Sequence, residues 1–174
     1  MITLVVLGLE GAVIRRRPTD AAALPAAPEA LRGVEATLAE LRRRGVRVAL
    51  VCEPTRSVTD PMLATLGWTV AAEAGGVGVV DAVVCGDEVD APPPAPYAVH
   101  HAMELTGTLD VRQVLVAGDS VVMLEAGRAA GAGWVVGVLT GAARRPELEA
   151  GPHDAVLSSV NDLLALAVPP APAR

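Results

Sequence analysis

The chain has 174 residues, of which 52% are apolar and only 2% aromatic, with a formal net charge of −6. That length suits one domain, its core built from Val, Leu and Ala as in a parallel sheet covered by helices. The acidic balance argues against nucleic acid or an anionic membrane surface as partner, and no apolar run reaches the roughly 18 residues of a membrane span.

In chain order, Ile2 to Leu7 is a continuous apolar run ending at Gly8, the signal of a buried central strand. It starts with no basic region before it, so it is read as a strand and not as a signal peptide. Residues 15–28, rich in Arg, Pro and Ala, read as an irregular linker. From Glu29 to Arg44, Leu31, Val34, Leu38 and Leu41 recur at helical spacing, with Gly45 as the stop. Val46 to Val51 predicts a second strand and residues 58–66 a helix. Asp81 to Cys85 predicts a third strand. The run Pro92 to Pro96 opens a helix reaching about Thr106, since proline is tolerated in a first turn. Val114 to Ala117, a helix over 121–130 closed by Gly131, and Trp134 to Leu139 continue the alternation. Asp154 to Leu157 predicts an edge strand and 160–167 a last helix; 168–174 is a Pro/Ala tail expected to be disordered. Alternation of this kind builds a parallel βαβ sheet.

Cys52 and Cys85 each sit in or at the end of a strand-like run. Two reduced, semi-buried thiols in a cytoplasmic protein outweigh a disulfide or a metal pair. All 14 basic side chains are Arg, so no lysine is present for a Schiff base or a phosphate grip.

Four segments resemble the haloacid dehalogenase superfamily, and within it the phosphonatase-like branch: LVVLGLEGAVI (4–14), VRVALVCEPTR (46–56), DAVVCGDEVDAPPPAPYAVHHAMELTG (81–107) and VLVAGDSVVMLEAGRAAGAGWVVGVLTGA (114–142). The resemblance implies a three-layer Rossmann-like core over residues 1–167, with the linker at 15–28 in place of the mobile cap. It also implies one site where Gly8 to Gly11, Cys52 to Thr55 and Gly118 to Ser120 converge, outside the carboxyl ends of the strands. The resemblance places there an aspartate nucleophile, a second aspartate as acid and base, a Ser or Thr and a cation for phosphate, and acids holding Mg²⁺.

Position by position, this chain departs from that pattern. The nucleophile position is Gly8 and the acid–base position is Glu10. The hydroxyl position is Cys52, a weaker hydrogen-bond donor. The phosphate-binding cation has become Pro93. Asp119 stands in the metal position, and the second acid, four residues on, is Met123. Removing a nucleophile costs about 10⁴- to 10⁶-fold in well-studied triad hydrolases, so phosphoryl transfer by the usual route is not expected. No cofactor is expected either, the ancestral Mg²⁺ site having lost its acids.

Each of these residues also has a structural reading. Asp119 or Ser120 can cap the following helix, which is favoured over a ligand role at Asp119. Glu10 is a loop acid with an equal claim to function, Cys52 a small buried hydrophobe. Of His100 and His101, one is expected to pack and one to face solvent. Arg15, Arg16 and Arg17 read as a solvated run, with a minor reading as an anion clamp over the pocket. The expectation is a cytoplasmic, non-catalytic binding, scaffold or regulatory protein acting through a protein partner or as a homo-oligomer, with room for a small-molecule ligand and no nucleic acid or membrane. The alternative is an enzyme reusing the pocket with Glu10 and Asp119 as acid–base groups, or a weak phosphonatase-like hydrolase.

Overall fold

The computed structural model describes residues 1–15, 27–71 and 78–167. The centre of the linker at 15–28 and the tail at 168–174 lie outside them. Six strands form one parallel sheet in the order β3-β2-β1-β4-β5-β6: β1 (Leu4–Gly8), β2 (Arg47–Val51), β3 (Ala82–Val84), β4 (Val114–Gly118), β5 (Trp134–Val138) and β6 (Ala155–Leu157). β1 and β4 are apolar on both faces because both are covered, as a buried parallel sheet requires.

Period-two alternation sorts these side chains into two cores. On one face Val5, Leu7, Val48, Leu50 and Leu115 pack with Val34, Leu38 and Leu41 of α1 (Val34–Arg43), Met62 and Leu63 of α2 (Arg56–Leu66) and Leu163. On the other Leu4, Val6, Ala49, Val114 and Val116 pack with Ala98, Val99 and Ala102 of α3 (Tyr97–Thr106), Leu124 and Ala130 of α4 (Val121–Ala130), and Leu148 of α5 (Arg145–Ala150). The result is the three-layer α/β architecture expected. Among the described residues no helix is long and apolar enough to cross a membrane.

The chain winds outward from β1 through β2 to β3, then returns to β4 beside β1 and winds the other way. Between the carboxyl ends of β1 and β4 the order reverses, and the loops there diverge to leave a crevice.

Two expectations need correction. The helix expected from Glu29 begins at Val34, because Gly33 is held at φ 81°, a left-handed conformation that cannot continue a right-handed helix. The segment before it pairs with the β1 loop instead: Arg15 N–H donates to Glu29 O at 2.8 Å and Leu31 N–H to Val13 O at 2.9 Å. The last helix is divided into a 3-10 turn over Val160–Leu163 and a short α6 (Leu164–Ala167). α5 escaped the sequence reading, since six residues with Leu148 as its buried member carry no periodic signal.

Candidate functional site

A cavity of about 120 Å³ opens at the β1/β4 crevice, and Gly8, Glu10, Cys52, Pro93, Asp119 and Met123 all line it. The six positions marked in the sequence are therefore brought together, from four separate segments of the chain. Gly8 ends β1 and leaves space: a Cβ added there would meet no atom nearer than Gly118 Cα, at 4.0 Å.

Asp119 follows β4 and is buried, 4% exposed. The loop after β5 holds it: Ala142 N–H donates to its Oδ2 at 2.9 Å, and its own carbonyl accepts from Ala143 N–H at 3.1 Å. The same loop is tied to β1, since Thr140 Oγ1 donates to Gly11 O at 2.7 Å. Gly11 and Gly141 flank the carboxylate so closely that a Cβ on either would overlap it. Capping of α4 falls to Ser120, whose Oγ accepts from Met123 N–H at 3.4 Å. The capping reading of Asp119 is thus corrected: its carboxylate faces the β5 loop and the cavity, and the next residue takes the helix terminus.

Glu10 is half-buried at the cavity, two residues beyond β1, in a tight turn closed by Gly11 N–H donating to Ile14 O at 2.8 Å. Glu53 also lines the cavity; it lies within the Cys52 to Thr55 stretch expected there but was not singled out as an acid, although its place just beyond the end of β2 marks it. The lining thus carries the acids Glu10, Glu53 and Asp119 and, among the described residues, no basic side chain. Cys52 is buried beside Cys85 and its thiol is pushed up by donating a hydrogen bond to Cys85, and further by burial.

The residues do not fit the Mg²⁺ that the resemblance implies. Gly8 offers no carboxylate, Met123 offers a thioether, and a hard cation prefers oxygen ligands. Among the described residues no group of three His, Cys, Asp or Glu side chains could hold a metal ion.

The remaining sequence candidates lie elsewhere. His100 is exposed, with Nε2 3.2 Å from Ala130 O, and His101 is half-buried, with Nδ1 3.0 Å from Glu104 Oε2; neither lines the cavity. Arg15 is exposed and paired with Glu29 at 3.1 Å, while Arg16 and Arg17 fall outside the described residues.

A family model described as haloacid dehalogenase-like hydrolase matches residues 5–131. A plasmid phosphoglycolate phosphatase of Cupriavidus necator is 37% identical over 57% of this chain and 39% of its own length. A phosphonoacetaldehyde hydrolase of Bacillus cereus is 32% identical over 74% of this chain and 51% of its own. The chain thus spans about half or less of these curated relatives. Among solved structures, a haloacid dehalogenase-like hydrolase from Bacteroides fragilis superposes with a TM-score of 0.75 at 16% identity, covering 94% of this chain and 100% of that one. A D,D-heptose 1,7-bisphosphate phosphatase from B. bronchiseptica gives 0.74 at 21% identity, covering 98% and 100%. At those identities the structures speak for the fold alone.

The expectation of a non-catalytic binding, scaffold or regulatory protein is corrected by these relatives, which are named as a phosphatase and a hydrolase.

Proposed function

The chain belongs to the haloacid dehalogenase-like hydrolase family, and on that premise we propose that it is a hydrolase working by acid–base catalysis at Glu10 and Asp119, with no covalent aspartyl intermediate and no metal. The observation that carries this reading is two carboxylates from neighbouring strand ends lining one cavity, beside the space left by Gly8. A water molecule fits where the family pattern puts the nucleophile. Glu10 takes a proton from that water, and the oxygen adds to the electrophilic centre of the substrate. The proton then passes from Glu10 to the departing group as its bond breaks, so substrate and water give acid and alcohol. Asp119, held by the Ala142 N–H, is a fixed second acceptor that orients the water. A positioned general base of this kind contributes about 10²- to 10⁴-fold.

Charge supports a small neutral substrate. Two like unit charges about 4 Å apart repel by about 4 kcal/mol at an effective dielectric near 20. A phosphate dianion would meet the carboxylates of Glu10, Glu53 and Asp119, and among the described residues no basic side chain lines the cavity. A second reading, hydrolysis of a phosphate or phosphonate monoester, is supported by the names of the relatives.

The two substrate classes separate in one assay, with p-nitrophenyl acetate and p-nitrophenyl phosphate offered to the same protein. Turnover of the acetate above the blank, and none of the phosphate, is the expected result. Turnover of the phosphate alone would establish the second reading in place of the first.

A further inference from the structure

Outside the acid–base pair, the chemistry least explained by the site is a pair of buried sulfurs. Cys52 and Cys85 follow directly on β2 and β3, whose register pairs Val51 with Val84. The ladder continues past the strand ends: Cys52 N–H donates to Val84 O at 2.9 Å and Gly86 N–H to Pro54 O at 3.0 Å. The two cysteines are therefore cross-strand neighbours, and neighbouring strands lie about 4.8 Å apart. Alternation puts both on one face, Cys52 in line with Val48 and Leu50, Cys85 in line with Val83, all in the same core cluster. Their separation and common side suit a disulfide, whose Cα atoms lie roughly 4.4–6.8 Å apart.

The surroundings favour reaction at one sulfur over the other. The Cys85 thiol is held below the ordinary thiol range by the hydrogen bond from Cys52, helped by the Thr59 hydroxyl and the Arg56 guanidinium. Thr59 is itself buried, and its Oγ1 has no hydrogen-bond partner among the described residues. Arg56 is fixed by Glu88 at 2.8 Å and by Val83 O at 2.8 Å, so its charge stays beside the pair. A thiolate is the species that reacts with oxidants. Cys52 and Cys85 both line a second cavity of about 390 Å³, bounded also by Glu53, Val89 and Pro92.

We propose that Cys52 and Cys85 form a hydroperoxide-responsive dithiol that closes to an intrachain disulfide across the carboxyl ends of β2 and β3. In the first step the Cys85 thiolate attacks one oxygen of hydrogen peroxide and the O–O bond breaks. The departing hydroxide takes a proton and leaves as water, and Cys85 becomes a sulfenic acid. Cys52 sulfur then attacks Cys85 sulfur, the S–O bond breaks, and the hydroxyl leaves as water with the Cys52 proton. Two thiols are oxidised and one peroxide is reduced to two waters. Because Cys52 also lines the cavity that holds Gly8 and Glu10, the bridge reshapes one wall of that site.

The test uses the whole chain, reduced, desalted and exposed to millimolar hydrogen peroxide. Thiols are counted under denaturing conditions and the intact mass is measured, so the result does not depend on any activity. Trypsin cuts after Arg56 and so separates the two cysteines unless they are bridged. The expected result is loss of both thiols together and a mass lower by two hydrogens. The tryptic peptides spanning 48–56 and 57–112 should then run as one linked species, and dithiothreitol should reverse the change. In Cys85→Ser the concerted loss should vanish. Persistence of both thiols, stepwise oxygen addition to one cysteine without a bridge, or a bridge between two chains would each overturn the proposal.

Discussion

Replacing Glu10 by Gln is expected to lower kcat for p-nitrophenyl acetate by about 10²- to 10⁴-fold, with KM little changed. Glutamine keeps the shape and the polar end of the side chain but cannot accept a proton from water. Glu10 is only half-buried, so the exchange should leave the melting temperature nearly where it was. Loss of rate would then reflect chemistry and not folding. Glu10→Asp, one methylene shorter, should retain an intermediate rate, since the base remains but its reach is reduced. An unchanged kcat in Glu10→Gln would show that the proton goes elsewhere.

The second large effect is expected at a glycine. Gly11 sits at φ 85°, and a Cβ there would overlap the Asp119 carboxylate. In Gly11→Ala a left-handed alanine costs roughly 1–2 kcal/mol. If the carboxylate is pushed off Ala142, an N–H loses its acceptor, at about 1–3 kcal/mol more. The sum, about 2–5 kcal/mol, is a large share of the roughly 5–15 kcal/mol by which a domain is stable. Gly67→Ala is the matching control. Gly67 is also left-handed, at φ 70°, but nothing lies within 4 Å of its added Cβ. Chemical denaturation should show Gly11→Ala costing clearly more than Gly67→Ala, with ester hydrolysis reduced in Gly11→Ala alone. Equal costs would mean that Asp119 is not wedged between the glycines as described.

Much of this architecture was legible because a parallel sheet writes itself as apolar runs. β1 and β4 are continuous and the turns after them are marked, so their convergence at the strand ends could be read before any coordinates. What failed did so for local reasons. Leu31 lies at helical spacing from Val34 and Leu38, and nothing in composition shows that Gly33 between them turns left-handed. Asp119 and Ser120 are both good caps, and the choice was made by the Ala142 N–H, 23 residues away in sequence. The pairing of Cys52 with Cys85 likewise became visible only through the register of β2 on β3. Function was harder still. Gly8 at the nucleophile position favoured a non-catalytic reading, and Glu10 and Asp119, already read as converging at the strand ends, stood only as the acid–base pair of the alternative; the cavity holds both.

The most direct test is the dependence of hydrolysis on metal. Wild-type protein stripped with EDTA and desalted should turn over p-nitrophenyl acetate at the rate of the untreated protein, and added Mg²⁺ should not raise it. Glu10→Gln measured alongside should be slower by about 10²- to 10⁴-fold in both conditions. If EDTA abolishes turnover and Mg²⁺ restores it, the chemistry runs through a metal after all, and the account built on Glu10 and Asp119 is wrong.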